Sequence, residues 1–350
     1  MLWVPAKIFA CLTTAPRFNS RRLEERAYPH RRKATEMLLA ATIFWGLSFP
    51  IMRSLSLVQE QVLPQANSWF MSSATVMVRF GVAALILIAW SWRTLRQMTW
   101  LEVWQGVGIG FFGGAGILFQ MDGLAYTSAS TSAFLTQCYC ILIPIIVAVR
   151  ERRWPSWIVA VSSLLVMAGV AVLAQFDWRT ATLGRGEWET LIGSLLFTGQ
   201  ILWLERPGFA ANRVMHFTLV MFFVIALLAL PVCCLTMNHA SDLVVIFQSP
   251  VVLGLTGILI VACTMIAYVV MNRWQPHVPA TDAGLIYAVE PIFASLFALF
   301  LPAWFAALGG FNYPNETFTL NLLLGGGLIT AANVLIQFRP TKRALLPDNG

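Results

Sequence analysis

Ten times along the chain, apolar residues run on for about 17–25 positions, the length an α-helix needs to cross the hydrocarbon core of a bilayer. The runs lie near Thr35–Met52, Trp69–Trp92, Val103–Gln120, Ser128–Val149, Trp157–Phe176, Trp188–Glu205, Phe217–Met237, Val251–Met271, Ala283–Phe305 and Leu320–Phe338. They do not alternate polar with apolar, so they are not strands of a membrane barrel. With 58% hydrophobic and 11% charged residues, no segment is left over for a sizeable soluble domain. The expected fold is an all-α polytopic membrane protein of ten transmembrane helices.

Charge sets the expected orientation. If the N-terminus is inside and loops alternate, nineteen of the 23 Lys and Arg residues fall on the inner side. Arg53, Arg179 and Arg185 fall outside, and Arg79 falls within a span. That asymmetry is what the positive-inside rule demands of a protein with both termini cytoplasmic. The formal charge of +7 therefore reflects topology, not a nucleic-acid partner. Residues 1–34 form a basic cytoplasmic tail suited to an anionic inner leaflet, and residues 339–350 a second cytoplasmic tail. The order of charge and hydrophobicity in residues 1–12 is the reverse of a signal peptide's.

Internal similarity organises the rest. "TSAFLTQCYCILIPIIVAV" at 131–149 and "VPATDAGLIYAVEPIFASL" at 278–296 align Pro144 with Pro291 as helix kinks, and "LLVMAGVAVL" at 164–173 is similar to "LITAANVLIQ" at 328–337. The pattern suggests a duplicated five-helix unit at 35–176 and 188–338, joined by an external linker at 177–187. A unit with an odd number of spans enters the membrane from the opposite side in its second copy, so the repeats should be inverted. Inverted repeats belong to alternating-access transporters, whose substrate sites lie near the midplane.

Several stretches resemble a known family. "ATIFWGLSFPIMR" (41–53), "VRFGVAALILI" (78–88), "GLAYTSASTSAFL" (123–135), "AYVVMNRW" (267–274) and "AVEPIFASLFA" (288–298) are similar to drug/metabolite transporters of the EamA type. The resemblance implies ten helices, cytoplasmic termini, two EamA repeats and export or exchange of small metabolites, without fixing the substrate. The expected function is a secondary transporter of a bacterial plasma membrane that exports small amphipathic metabolites such as amino acids. The resemblance also marks Glu290 as a signature residue. Two departures stand out: "VRERRW" (149–154) keeps Glu151 without the family's preceding glycine, and "LPAWFAALGGFNYPNETFTL" (301–320) carries a long outer loop with the sequon Asn315-Glu316-Thr317.

Other motifs point away from chemistry. Gly108-x-Gly110-x-x-Gly113 matches a dinucleotide fingerprint, but it lies inside an apolar span; Gly106, Gly110 and Gly114 instead have the four-residue spacing of close helix contact. His30, His216, His239 and His277 are scattered, no metal-ligand spacing exists, and neither a cofactor nor an enzymatic activity is expected. Cys138, Cys140, Cys233, Cys234 and Cys263 lie in or beside spans, so a disulfide framework is not expected.

The candidate substrate pathway rests on polar groups at membrane depth. A charge there costs on the order of 3 kcal/mol even on a mild scale, so Glu290 should face an interior or a wet cavity, as a proton-sensitive or substrate-facing group or as a tie between helices. Arg79 pairs with a carboxylate, binds an anionic substrate group or snorkels. Thr264, Tyr268 and Asn272, and likewise Thr190, Ser194 and Thr198, recur every fourth residue and share a helical face. Each face lines either a helix contact or a cavity. Gln137, Gln200, Trp45, Trp203 and Tyr287 complete the set. Partners expected are a small-molecule substrate, the lipid bilayer and, as an open possibility, a second copy in a homodimer. The alternative class is a membrane-embedded sensor or accessory subunit without transport.

Overall fold

The computed structural model describes residues 30–127, 129–152, 154–173 and 183–337, and every element within them is helical. The expected basic tail up to residue 29, most of the linker with Arg179, and the C-terminal tail lie outside the described residues. Helix α1 (Arg31–Val62) is followed by α2 (Ser68–Ser91), α3 (Trp100–Tyr126), α4 (Ala129–Thr136), α5 (Tyr139–Glu151) and α6 (Trp157–Leu173). Then come α7 (Arg185–Leu204), α8 (Val214–Thr236), a short α9 (Ala240–Gln248) and α10 (Pro250–Ile258). A π-helical stretch, Leu259–Ile266, joins α10 to α11 (Ala267–Trp274). The chain continues through α12 (Ala280–Tyr287), α13 (Glu290–Ala298), α14 (Leu301–Gly309) and α15 (Leu320–Gln337).

Seven helical stretches among the described residues are long and apolar enough to cross a membrane: α1, α2, α3, Ser132–Glu151, α8, Pro250–His277 and Ala280–Ala298. α6 and α15 are apolar but shorter, and α7 carries Arg185, Glu187 and Glu189 in its first turns. Large side chains such as Leu85, Leu164, Phe223, Leu235 and Leu323 stand exposed around the bundle, the arrangement expected where the neighbour is lipid. Trp90, Trp92, Trp100, Trp154, Trp157, Trp188 and Trp304 are also exposed, at or near helix ends, as interfacial anchors would be.

Local sequence explains where helices begin. The Asn67 side chain accepts the Trp69 amide at 2.9 Å, starting α2. Thr99 and Glu102 form a reciprocal capping box at α3, with bonds of 2.8 and 3.2 Å.

Packing is set by glycine. On α3, a Cβ at Gly106 would lie 2.6 Å from the Phe217 carbonyl oxygen, and one at Gly110 would lie 2.8 Å from Val224 Cβ, so this face seats α8. On the adjacent face, Gly108, Gly113 and Gly116 leave room for Trp203, Gln200 and Phe197 of α7. The fingerprint-like glycines thus serve two helix contacts at once. Elsewhere α2 packs on α8, α6 on α15, and α1 on both α11 and α13. At the last of these, a Cβ on Gly46 would come within 2.8 Å of the Ala294 nitrogen.

Two expected features take a different form. The apolar run ending at Phe305 is not one span: α13 stops at Ala298 and α14 starts separately. Pro302 has no N–H to give the Ala298 carbonyl, which instead accepts the Glu316 amide of the following loop at 2.8 Å. The same loop caps α14, since Asn315 Oδ1 accepts the Ala303 amide at 2.8 Å, so the long 306–319 segment is strapped onto the bundle. The other difference concerns the prolines. Pro291 sits in the first turn of α13, directly after the interruption at Ala288–Val289, where a missing N–H costs nothing. Pro144 lies inside α5, and the interruption comes earlier, at Gln137–Cys138. The Cys140 carbonyl that Pro144 deprives of a donor accepts the Ser163 hydroxyl of α6 at 3.0 Å.

Candidate functional site

A cavity of about 70 Å³ lies where α1, α2, α3, α4, α5, α7, α11, α12 and α13 converge. That is room for several water molecules. Of the sequence-derived candidates, Trp45, Arg79, Gln200, Tyr268, Tyr287 and Glu290 line it; Ser48, Gln120, Thr136, Tyr139, Phe197 and Met271 complete most of the wall.

The aromatic wall is built edge to face. The Trp45 ring meets Tyr268 at 5.5 Å and Tyr287 at 5.3 Å between centroids, both T-shaped. The Tyr287 hydroxyl donates to Gln275 Oε1 at 2.8 Å, and Gln275 Nε2 donates to the Ile201 carbonyl at 2.9 Å, tying α12 to α7 through one buried amide. Gln120 Nε2, also in the wall, donates to the Thr136 hydroxyl at 2.9 Å.

Arg79 is 2% exposed. Its Nε donates to Thr264 Oγ1 at 2.5 Å, Nη2 donates to the Cys263 carbonyl at 3.2 Å, and Nη1 faces the Met52 sulfur at 3.8 Å. Thr264 and Cys263 both belong to the π-helical stretch, whose altered bonding leaves carbonyl oxygens to be used from outside; such stretches recur at functional sites. Among the described residues, no carboxylate lies within 4 Å of the guanidinium, so of the three sequence alternatives neither pairing nor snorkelling describes this side chain. Glu290 is 8% exposed and begins α13, directly after the interruption at Ala288–Val289, so its carboxyl is carried on the first turn of a helix whose N-terminal dipole favours negative charge.

Four candidates do not line the cavity. Thr264 is the acceptor for Arg79. Asn272 donates to Thr218 Oγ1 at 2.9 Å, so the eighth-run stripe divides between cavity and helix contact. Gln137 is wholly buried, with its side chain beside Glu290 and Tyr139. Trp203 lies under the Arg206 guanidinium at 3.6 Å, with its indole N–H unpartnered. The other stripe is a helix contact: Ser194 donates to the Thr136 carbonyl at 2.8 Å, and Thr190 meets Ser132 at 3.3 Å, joining α7 to α4.

Ion pairs close both ends of the bundle, and sequence reading missed most of them. At one end Arg185 bonds Asp122 at 2.6 Å, Glu189 at 2.8 Å and Tyr126 at 2.7 Å, linking α7 to α3. At the other, Arg31 bonds Asp282 at 3.1 Å, while Glu102 accepts from Arg213 at 2.8 Å and lies 3.1 Å from His216 Nδ1. Asp122 and Glu102 are buried near the ends of an apolar helix, and a carboxylate isolated in such a run was the signal available. Among the described residues, no group of three or more His, Cys, Asp or Glu side chains is placed to hold a metal.

The profile of the EamA-like transporter family matches residues 33–175. That stretch belongs to the EamA-like transporter family. An uncharacterized transporter of Archaeoglobus fulgidus is 25% identical over 312 residues, covering 86% of this chain and 85% of its own. A crystal structure at 16% identity superposes with a TM-score of 0.57, covering 87% of this chain and 96% of that one, which shows a shared fold. The EamA-like stretch supplies α1 to α6, and with them Trp45, Arg79, Gln120 and Tyr139 of the cavity wall. The chain is a multi-pass membrane transporter.

Proposed function

We propose that the chain is a secondary transporter that exports or exchanges small amphipathic metabolites by alternating access, from a bacterial plasma membrane and with both termini cytoplasmic. The observation that carries the reading is the cavity, because its wall is drawn from both expected halves: Trp45, Arg79 and Tyr139 from 35–176, and Gln200, Tyr268 and Glu290 from 188–338. A site shared by two halves is exposed to one side or the other as they rock.

Two further features support it. Number the expected spans in order, with α4 and α5 as the fourth, α10 to α11 as the eighth, and α12 and α13 as the ninth. Exchanging the halves then maps the packing of the third span on the sixth onto that of the eighth on the first, and leaves second-on-seventh and fifth-on-tenth unchanged, as inverted repeats require. The ion pairs Arg185–Asp122 and Arg31–Asp282 sit at opposite ends and would have to part alternately. No nucleotide-binding motif supplies a drive, so an ion gradient, exchange or the substrate gradient must.

The test is uptake by purified protein in liposomes, across a panel of amino acids, sugars, nucleosides and organic cations, with and without a pH gradient. Accumulation or counterflow of at least one class is expected. Inactivity of folded protein towards all of them would remove the transport reading and favour the sensor or accessory-subunit class.

A further inference from the structure

Arg185 of α7 serves two carboxyl groups at once. Its Nη2 donates to Asp122 Oδ2 at 2.6 Å and its Nε to Glu189 Oε1 at 2.8 Å, while Nη1 donates to the Tyr126 hydroxyl at 2.7 Å. The Asp122 side chain is wholly buried and that of Glu189 is 10% exposed. Their other oxygens, Asp122 Oδ1 and Glu189 Oε2, are buried and receive no N–H or hydroxyl donor among the described residues, and the two carboxyl groups lie beside each other. The backbone holds them there. A Cβ on Gly123 would lie 2.9 Å from the Gly186 carbonyl oxygen, and one on Gly186 would lie 2.7 Å from that of Gly123, so α3 and α7 touch one residue beyond Asp122. Among the described residues, no second cation lies within 4 Å of either acid. Arg53 of α1 is spent on the Leu124 and Ala125 carbonyls, at 2.9 and 3.4 Å, and Glu187 accepts the Gly184 amide at 2.9 Å. α2 and α4 bring hydroxyls to this end, Ser68 and Ser132, and α8 brings the thiols of Cys233 and Cys234.

Two carboxylates against one guanidinium would leave a net negative charge out of water, and two close acids do not both ionise readily. One proton removes the difficulty. It lets one carboxyl group donate to the other through the two oxygens that lack a donor, and leaves a single carboxylate to match Arg185. We propose that Asp122 and Glu189 hold one proton between them, and that this proton closes α7 on α3 at that end of the bundle. The proton belongs to the pair, not to either residue. When it leaves, two carboxylates repel each other across the Gly123–Gly186 contact and the helix ends part. Arg185, 43% exposed, joins the pair to the aqueous side, so the proton is taken up from that side. The transport reading places this end outside, where a proton bound after substrate release would close the outer end and return an exporter to its inward-facing state. That last step rests on the transport reading, whereas the proton site and its effect on the contact do not.

The test uses the full-length protein in detergent. Infrared spectra recorded in D2O buffers from about pH 6 to pH 9 follow the carbonyl band of protonated carboxyl groups. Relative to the parent protein, Glu189→Gln and Asp122→Asn should each lack one titrating carboxyl group. Amide hydrogen exchange over residues 120–127 and 184–190, corrected for its intrinsic pH dependence, reports the contact itself. Protection in the parent should fall at least tenfold as the pH rises through that range, because release of one proton shifts an equilibrium by up to about tenfold per pH unit. In both variants it should stay nearly constant, since the new amide bonds the remaining carboxylate at every pH. Should one variant fail to fold, the other decides. An unchanged titration in the variants overturns the proton site, and parent protection that ignores pH overturns its hold on the helix contact; neither result touches the transport reading. Inactivity in liposomes beside the expected band and protection removes the transport reading and still supports the proton site.

Discussion

Asp122 shows how much one side chain can depend on another. It is wholly buried, and Arg185, itself 43% exposed, reaches it at 2.6 Å from the start of α7. Removing the cation leaves a buried carboxylate without its counter-charge, whereas removing both charges leaves two neutral groups that can still hydrogen bond. Arg185→Gln should therefore cost about 2 kcal/mol, reduced from the buried-pair range because the arginine is partly solvated. Arg185→Gln combined with Asp122→Asn should recover part of that loss, since Glu189, 2.8 Å from the arginine, still lacks its cation. Thermal unfolding in detergent checks both, and equal losses in the single and double variants would show that the pair does not couple. Ser163 makes a smaller contribution of the same kind. Its hydroxyl donates to the Cys140 carbonyl that Pro144 leaves open, so Ser163→Ala should lower stability by about 1 kcal/mol. Ser163→Thr, which keeps the hydroxyl, should lie closer to the parent protein.

At the scale of elements, α3 is a glycine helix clamped on two faces. A Cβ at Gly110 meets the Met221 backbone oxygen at 2.9 Å, and backbone cannot swing aside as a side chain can. Gly110→Val should push α8 away and lower the melting temperature by several degrees or prevent folding, as overpacking costs about 1–3 kcal/mol. Gly254 in α10 has nothing within 4 Å of the point where a Cβ would sit, so Gly254→Ala should be neutral or slightly stabilising through helix propensity. Similar melting temperatures for the two variants would refute the clamping account. The interrupted helices obey a common rule. Pro144 and Pro302 each withdraw a donor from the carbonyl four residues back, and in each case a group from another segment replaces it: the Ser163 hydroxyl, and the Glu316 amide. In an apolar bundle no water is at hand to do so. This is how the 306–319 loop, which looks in sequence like a free insertion, comes to be fastened to α13 and α14.

For the whole molecule, orientation is the property most open to direct test. Reporters placed after residue 350 and within 311–318 should give a cytoplasmic and an external signal respectively, because one expected span, α15, separates them. Signals from the same side would remove the ten-span count and the odd-number argument for inverted repeats. The distribution of lysine and arginine makes the same forecast independently, and a reversed result would mean that the loop charges do not set the orientation.

Hydrophobic run length determined that the chain is an all-helical membrane protein, because each backbone polar group in lipid must be satisfied within its own helix. Local composition was enough to find the α3 glycines and to single out Glu290 as a costly residue that should face inward, while Arg79 kept three readings. What the sequence could not contain was which inward-facing groups meet. Thr190 and Thr264 have the same spacing signature, yet one is a helix contact and the other holds the cavity's arginine. Periodicity assigns a residue to a face of its own helix, while the partner of that face depends on how helices far apart in the chain pack. The same holds for Arg185, which reads as an outer-loop cation and proves to join α7 to α3, and for the interruption at Gln137–Cys138, which no proline marks. Only the assembled bundle brings Arg79 and Glu290, 211 positions apart in the chain, to one cavity without letting them neutralise each other.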